Sequence, residues 1–150
     1  MPSQGAAAPR SIVREHRKEQ FLITTEPPRL DVDSIHGFLS KESWDSEGIA
    51  RDVVERSIRG SLCFGVYDGQ RQIGFARVGT DGATLGYLCD DYILEDYGGK
   101  ALGKWLMECI LSHADLLGAC TAGWWSRGIF GSIQRPGLRP WRSRKRTWKW

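Results

Sequence analysis

The chain has 150 residues, which is the size of one domain, and 41% of them are hydrophobic and 26% charged, an ordinary composition for a globular protein. No stretch approaches the ~18 uninterrupted apolar residues of a membrane helix, and the first twenty residues lack the apolar core of a secretory signal. We therefore expect no membrane association and a cytoplasmic location, with a mitochondrial leader as the less favoured alternative, since the segment contains arginine and few acidic residues. None of the four cysteines forms a C-x-x-C pair, so we predict no structural zinc site and no metal cofactor.

Charge is distributed unevenly along the chain. Leu116–Trp150 contains six arginines, two lysines and five of the seven tryptophans, but no acidic residue. The rest of the chain carries 13 basic and 18 acidic residues. An asymmetry of this size indicates that the two parts differ in origin or function.

The amino-terminal part begins with a predicted flexible leader over residues 1–19. Gln20–Thr25 is a short β-rich run ended by Pro27-Pro28, which is typical of an edge strand.

Two helices are predicted next. Asp31 or Asp33 can cap a helix that runs through Ser40, and a second helical pattern begins at Ser46 and ends near Gly60. The apolar faces of the two helices are expected to consist of Ile35, Phe38 and Leu39 in the first, and Ile49, Val53 and Ile58 in the second.

The pattern then changes to three strands, Leu62–Tyr67, Gln72–Gly79 and Ala83–Leu94, separated by turn signals at Asp68-Gly69 and Thr80–Gly82. This order predicts an antiparallel meander. In the middle strand, we expect the inward-facing side chains to be Ile73, Phe75 and Ala76.

Leu102–His113 gives the clearest helical pattern, with an apolar stripe suited to packing on a sheet. The stripe consists of Leu102, Trp105, Leu106, Cys109, Ile110 and His113. Beyond Gly118 no regular period persists, so residues 119–150 are predicted to be an atypical basic tail that does not pack, following a domain over residues 20–118.

The turn before this helix carries the chemistry that the sequence indicates. Its residues are Gly98, Gly99, Lys100, Ala101, Leu102, Gly103 and Lys104. Glycines let the backbone approach a ligand closely, and the first N–H groups of a helix have no partner within the helix. Together with the helix dipole, they form a site suited to a pyrophosphate. Alone, such a turn is equally compatible with a tight corner that has no function.

From about Gln20 to Gly118, the chain resembles GNAT (GCN5-related) N-acetyltransferases. The resemblance rests on the order of elements and on three segments, Gly74–Val78, Tyr87–Leu94 and Gly99–Met107. It implies an α+β fold with a mostly antiparallel sheet flanked by helices. It also implies acetyl-CoA as co-substrate, with the pyrophosphate on backbone amides of Gly98–Gly103 and the pantetheine arm beside Tyr92, Ile93 and Leu94.

Two positions depart from the family pattern of Arg or Gln, two variable residues, Gly, one variable residue, and Gly or Ala. Gly98 stands at the Arg/Gln position and Ala101 at the middle Gly. The backbone donors survive, but a side-chain contact is lost and Ala101 restricts the turn if it needs a positive φ. Lys100 and Lys104 still supply positive charge. We therefore predict weakened cofactor affinity.

Acetyl transfer to an amine needs a base for the ammonium proton and an acid for the departing thiolate. The candidate bases are Asp90, which we rank first, Asp91, and Glu95 at the strand end. Each is equally compatible with a solvated strand end. The resemblance implies a Tyr acid in a later segment of the form Tyr, three residues, Gly-Phe, and this sequence contains no such segment.

The missing segment can be encoded in another reading frame. If the third base of each codon from Ser132 onward is joined to the first two of the next, permitted codons give Tyr and then Gly-Phe. The glutamate that arises from Trp148/Lys149 is forced by the genetic code. We hypothesise that the chain leaves its ancestral frame near Gly118–Thr121, and we expect the carboxyl-terminal strands of the fold to be missing or disordered.

Three functions fit the sequence. The first is an N-acetyltransferase that acts on a primary amine of a small molecule or a protein. The sequence is compatible with impaired activity of this chain and with a homodimer. The second is a catalytically silent acyl-CoA-binding or interaction module. The third takes the Arg/Trp tail as a nucleic-acid contact, although the frame hypothesis explains the same residues.

Overall fold

The computed structural model of the protein describes residues 12–41, 48–83 and 85–117. The predictions for the tail at residues 119–150, and for the carboxyl-terminal strands, lie outside these residues.

Five antiparallel strands form one sheet in the order in which they follow along the chain. They are β1 (Glu15–Lys18), β2 (Phe21–Thr24), β3 (Leu62–Asp68), β4 (Arg71–Thr80) and β5 (Gly86–Ile93). The predicted meander is confirmed. The leader prediction is wrong for residues 15–18, which form β1 and pair with β2. The predicted edge strand is therefore an internal strand, and β1 is the edge.

Four helices complete the described architecture. They are α1 (Val32–Lys41), α2 (Arg51–Arg59), α3 (Leu102–Leu111) and the short α4 (Ala114–Leu117). Asp31 caps α1, because its Oδ1 accepts the Ser34 N–H at 3.1 Å. The predicted inward position of Val53 is wrong: its side chain is 37% exposed, whereas Val54 is completely buried. None of the described helices is long and apolar enough to cross a membrane.

The sheet separates two apolar clusters. The larger lies between the sheet and α3–α4 and includes Phe64, Val66, Leu106 and Ile110. The smaller lies under α1 and α2 on the other side of the sheet and includes Ile35, Val54, Phe75 and Tyr92. Each fully buried side chain of this size contributes about 1.5–3 kcal/mol.

The predicted stripe of α3 is confirmed. Trp105 is half-buried and the other five members are buried, namely Leu102, Leu106, Cys109, Ile110 and His113. Burial raises the pKa of the Cys63 thiol to about 12 and that of Cys109 to about 11, so both behave as small apolar side chains.

These two layers position the chain segment that matters for function. β5 ends at Ile93, a 3₁₀ turn follows over Glu95–Tyr97, and the chain then turns back to start α3 across the sheet. Since β5 is the last strand of the described sheet, its outer side adjoins the start of this turn.

Candidate functional site

The turn between β5 and α3 has the backbone geometry of an anion site. The first hydrogen bond within α3 runs from the Trp105 N–H to the Ala101 C=O at 3.1 Å. The N–H groups of Leu102, Gly103 and Lys104 therefore precede the hydrogen-bond ladder of the helix and point out of its start. An anion placed there meets these donors and the positive end of the helix dipole.

Two residues of the turn have a left-handed backbone. Gly99 has φ of 75°, and Ala101 has φ of 56° and ψ of 21°. The sequence raised the question of whether the turn needs a positive φ at Ala101, and the structure shows that it does. Gly98, with φ of −60° and ψ of 153°, has an extended backbone that any residue can adopt.

Tyr97 ties this turn to the rest of the sheet. Its hydroxyl donates to Asp68 Oδ2 at 3.0 Å, and this hydrogen bond raises the pKa of Tyr97. The edge of the Phe21 ring packs against Tyr97 with centroids 6.3 Å apart. The Gly98 N–H donates to the Glu95 C=O at 2.9 Å. The turn is thus held in place before any ligand binds.

The remaining turn residues differ in exposure. Leu102 is buried and anchors the helix start in the larger cluster. Lys100 and Lys104 are exposed, so their ammonium groups are available to an approaching anion.

The outer side of β5 offers backbone groups to a ligand. The Leu94 N–H donates to the Ile73 C=O at 2.8 Å. Backbone groups alternate in direction along an antiparallel strand, so those of Ile93 point away from β4. The Tyr92 side chain does not face this edge, because it is 6% exposed and stacks on Phe38 with centroids 3.7 Å apart. By the same alternation, the backbone groups of Tyr92 point toward Phe75 on β4, so of these two residues it is Ile93 that presents its backbone at the outer edge.

Asp90 is already engaged by a cation. Its Oδ2 accepts a hydrogen bond from Arg77 Nε at 2.6 Å, and the two side chains are 14% and 21% exposed. Arg77 also donates from Nη1 to Ser61 Oγ at 3.3 Å. The Arg77 guanidinium already occupies this carboxylate, so the geometry does not favour the first rank that the sequence gave Asp90.

Asp91 has the environment that suits a general base. Burial, and secondarily the negative charge of Asp90, raise the pKa of Asp91, which makes its carboxylate a stronger proton acceptor. Glu95, by contrast, is exposed at the start of the 3₁₀ turn. Asp91 pairs with Ala76, which packs in the cluster under α3, so Asp91 lies on the α3 face of β5, whereas Glu95 lies in solvent.

One feature near the turn was missed from the sequence. A cavity of about 280 Å³ lies between the β1–β2 turn and the start of α3, lined by Lys18, Glu19, Gln20, Phe21, Lys100 and Leu102. The first two were assigned to the leader, and only the fold brings them to the anion turn. The signal that could have pointed toward them is the basic run of Arg14, Arg17 and Lys18 in the leader.

Within the described parts of the chain, no group of three or more His, Cys, Asp or Glu side chains is arranged to hold a metal ion.

An antiparallel meander whose last strand leads through a glycine-containing turn into an amphipathic helix is the arrangement of an acyl-CoA-dependent N-acyltransferase. Residues 18–128 match the family model of the acetyltransferase (GNAT) family. The chain belongs to this family, whose members use acetyl-CoA and an acceptor.

Three relatives illustrate the match. A candidate acetyltransferase of Gibberella zeae is 33% identical over 113 residues, and the match covers 63% of each chain. A crystal structure from Xanthomonas campestris pv. campestris, assigned to the GNAT family as a candidate acetyltransferase, has a TM-score of 0.68 at 35% identity, over 71% of this chain and 75% of that one. A candidate acetyltransferase of Deinococcus radiodurans, with a TM-score of 0.54 at 17% identity over 81% and 94% of the two chains, supports the fold alone. The chain thus spans 63% of the length of the fungal relative.

Proposed function

We propose that this chain is an N-acetyltransferase that transfers the acetyl group of acetyl-CoA to a primary amine of a small molecule or a protein. The observation that carries the proposal is the juxtaposition of two ligand-ready features: the N–H groups of Leu102, Gly103 and Lys104, which open α3, and the outward-facing backbone of Ile93 at the end of β5.

Acetyl-CoA fits this juxtaposition. The pyrophosphate would bind at the backbone amides of the turn over residues 98–103, with Lys100 and Lys104 adding positive charge. The amide groups of the pantetheine arm would hydrogen-bond to the backbone of Ile93 and run beside Leu94, as a further strand does at a sheet edge. This arrangement leads the thioester along β5 toward Asp91.

The chemistry then needs one proton acceptor. Asp91 would take the proton of the acceptor ammonium, directly or through a water, and the free amine would attack the thioester carbonyl. The carbon–sulfur bond breaks, the amide forms, and coenzyme A leaves as the thiolate, which takes up a proton. Because the pKa of Asp91 is raised, we expect activity to fall with decreasing pH at a higher pH than an ordinary aspartate would give.

The test is acetyl transfer measured as thiol release from acetyl-CoA with a panel of primary amines. Asp91→Asn should lower kcat by about 10²–10⁴-fold, whereas Glu95→Gln, at an exposed carboxylate in the same region, should leave it within about twofold. Unchanged turnover in Asp91→Asn would eliminate the assigned base.

A second function is favoured by Gly98. The glycine at this position lacks the side-chain contact that the Arg or Gln of the family pattern would supply and is expected to weaken cofactor binding, and residues 119–150 differ in composition from the family domain. These observations fit a silent acyl-CoA-binding module. Calorimetric binding of acetyl-CoA without turnover of any amine would support it, and ordinary tight binding would contradict the weakened affinity.

The frame hypothesis is tested by the nucleotide sequence. Codons across Gly118–Thr121 and from Ser132 onward that cannot encode the family string in the second frame would end it. If the chain is in frame throughout, residues 119–150 belong to the functional protein.

A further inference from the structure

The amino-terminal half of β5 is packed on one face and open on the other. Leu88 is 1% exposed and lies in the larger cluster, on the side of α3. Tyr87, one residue earlier, is 44% exposed, and Leu85, just before the strand, is 46% exposed. Because side chains alternate along a strand, Tyr87 and Leu85 lie on the side of α1 and α2, yet neither helix covers them.

A β-bulge turns a carboxylate to the same open face. β5 has one residue more than β4 here, since Arg77 pairs with Asp90 and Val78 with Leu88, and Cys89 is the extra residue. Arg77 also pairs with a β3 residue of the smaller cluster, under α1 and α2. Directly opposed residues point to the same face of a sheet, so Asp90 lies on the open face with Tyr87.

The surface between Leu85 and Asp90 is apolar. Tyr87 pairs with Gly79, which has no side chain to cover the strand there. A Cβ at Gly79 would lie 3.5 Å from Cys89 Sγ, so the half-buried thiol borders the same surface. We call Leu85, Tyr87, Gly79 and Cys89 the apolar strip. The β4 partners of Tyr87 and Asp90 are two residues apart, roughly 7 Å, so a short chain can reach from one to the other.

The apolar strip borders the point at which acetyl transfer is proposed. The thioester is proposed to lie at the outer edge of β5, next to Asp91. Because the cofactor would come from the start of α3, the acceptor has access from the opposite face, where the apolar strip lies. Arg77 is already paired with Asp90, so the carboxylates at this end favour an ammonium group and disfavour an anionic acceptor.

We propose that the apolar strip is the acceptor site and that it selects a primary amine carrying an apolar chain. The ammonium group lies beside Asp90 and Asp91, and the chain lies on Tyr87 and Leu85. The inference rests on the proposed function and names the substrate class of that site. Contact with the chain removes apolar surface from water, whereas a polar end group would give up water for a surface without hydrogen-bond partners.

The experiment measures thiol release from acetyl-CoA by the full chain with hexylamine, cadaverine and the amino alcohol of equal length. These primary amines differ only in the end group, which is methyl, ammonium or hydroxyl, and their extended chains match the length of the apolar strip. The kcat/KM for hexylamine should exceed that for each of the other two by about tenfold. A preference for cadaverine would instead indicate a site for dications.

Variants test which side chains carry the preference. Tyr87→Ser should lower kcat/KM for hexylamine by about tenfold, mainly through KM, and leave the amino alcohol within about twofold. Leu85→Ser should act in the same direction, and Tyr87→Phe should retain the preference. Val53→Ser is the matched control, because it removes an apolar side chain that is 37% exposed on α2. It should leave the kinetics with all three amines unchanged.

Calorimetry of hexylamine on the coenzyme A complex separates the two proposals. If the amines are acetylated equally well, if cadaverine is preferred, or if Tyr87→Ser retains the preference for hexylamine, the acceptor assignment is overturned while the transferase function stands. If hexylamine binds wild type but not Tyr87→Ser and no amine is acetylated, the apolar strip binds apolar amines and the proposed function fails. If hexylamine neither binds nor reacts, the acceptor assignment fails.

Discussion

Replacing Ala101 with glycine should stabilise this protein. Ala101 has φ of 56° and ψ of 21° at the N-cap of α3, where an L-residue with a Cβ loses about 1–2 kcal/mol. Glycine has no such cost and is also the better N-cap residue. Its greater freedom in the unfolded chain costs about 0.4–1 kcal/mol. The difference leaves about 1 kcal/mol of net stabilisation for Ala101→Gly.

The measurement is the unfolding temperature, followed by circular dichroism or calorimetry. A change of 1 kcal/mol raises Tm by about 4–8 °C in a cooperative unit of roughly 100 residues. Ala50→Gly is the matched control, because Ala50 is the exposed N-cap of α2 with an ordinary extended backbone, φ of −72° and ψ of 144°. Ala50→Gly makes the same change at an N-cap but relieves no backbone strain, so the Tm of this variant should differ from that of wild type by about 2 °C or less.

Cofactor affinity gives a second measurement on the same variant. If Ala101 already holds the left-handed conformation in the free protein, glycine relieves strain in the free and bound states alike, and the Kd for coenzyme A changes little. If the turn formed only on binding, glycine would tighten the Kd. A Tm for Ala101→Gly that does not exceed that of Ala50→Gly would refute the assignment of strain to this residue.

Three further perturbations test other parts of the molecule. Asp90→Asn should lower the free energy of unfolding by about 2 kcal/mol in urea titrations, because the largely buried Arg77 guanidinium loses its charged partner. Burial lowers the pKa of His113. The contribution of His113 to stability is therefore complete above about pH 6.5 and is lost as the pH falls through its folded-state pKa. His113→Gln should reduce the loss of stability with falling pH in this range. Gly98→Arg should tighten coenzyme A by about fivefold in calorimetry, since it restores a charged contact on an extended backbone.

Each of these perturbations has a result that would contradict it. The double variant Arg77→Met with Asp90→Leu replaces the ion pair with two apolar side chains and should recover part of the stability that Asp90→Asn loses. A double variant destabilised by more than the sum of the two single variants would contradict the ion-pair account. An unchanged slope of the free energy of unfolding against pH in His113→Gln would contradict the account of His113. Gly37→Arg adds the same charge at an open position on α1. If it tightens coenzyme A binding as much as Gly98→Arg does, the gain comes from net charge and not from a contact at position 98.

The elements with a strong apolar period could be predicted from the sequence almost to the residue. The predicted strand Leu62–Tyr67 differs from the observed β3 only by the added Asp68, and α3 begins at the predicted Leu102. β1 could not be predicted, because its four residues are polar and mostly exposed and only pairing with β2 defines them as a strand. The prediction that Val53 and not Val54 faces the core was wrong because two adjacent valines give no signal for which one is buried.

The candidate site was predictable where its parts are contiguous in sequence. Glycines and lysines before an amphipathic helix identify the anion turn. The rank of Asp90 was not predictable, because its partner Arg77 lies on the neighbouring strand and the register there includes an irregularity between Arg77 and Val78. Lys18 was missed because β1 is polar, and it reaches the helix start only through its hairpin with β2, which in turn pairs with the distant β3.

Backbone strain gives an independent reason to look at the same end of the molecule. Among the described residues, the non-glycine residues with a positive φ are Glu19 at 54° and Ala101 at 56°. Glu19 lines the cavity, and Ala101 stands between two residues that line it, Lys100 and Leu102. Residues in this conformation persist only where the surrounding packing holds them, and here Phe21 and Leu102, both buried in the cluster under α3, adjoin the two turns. The core that stabilises the fold thus also holds both turns in their left-handed conformation.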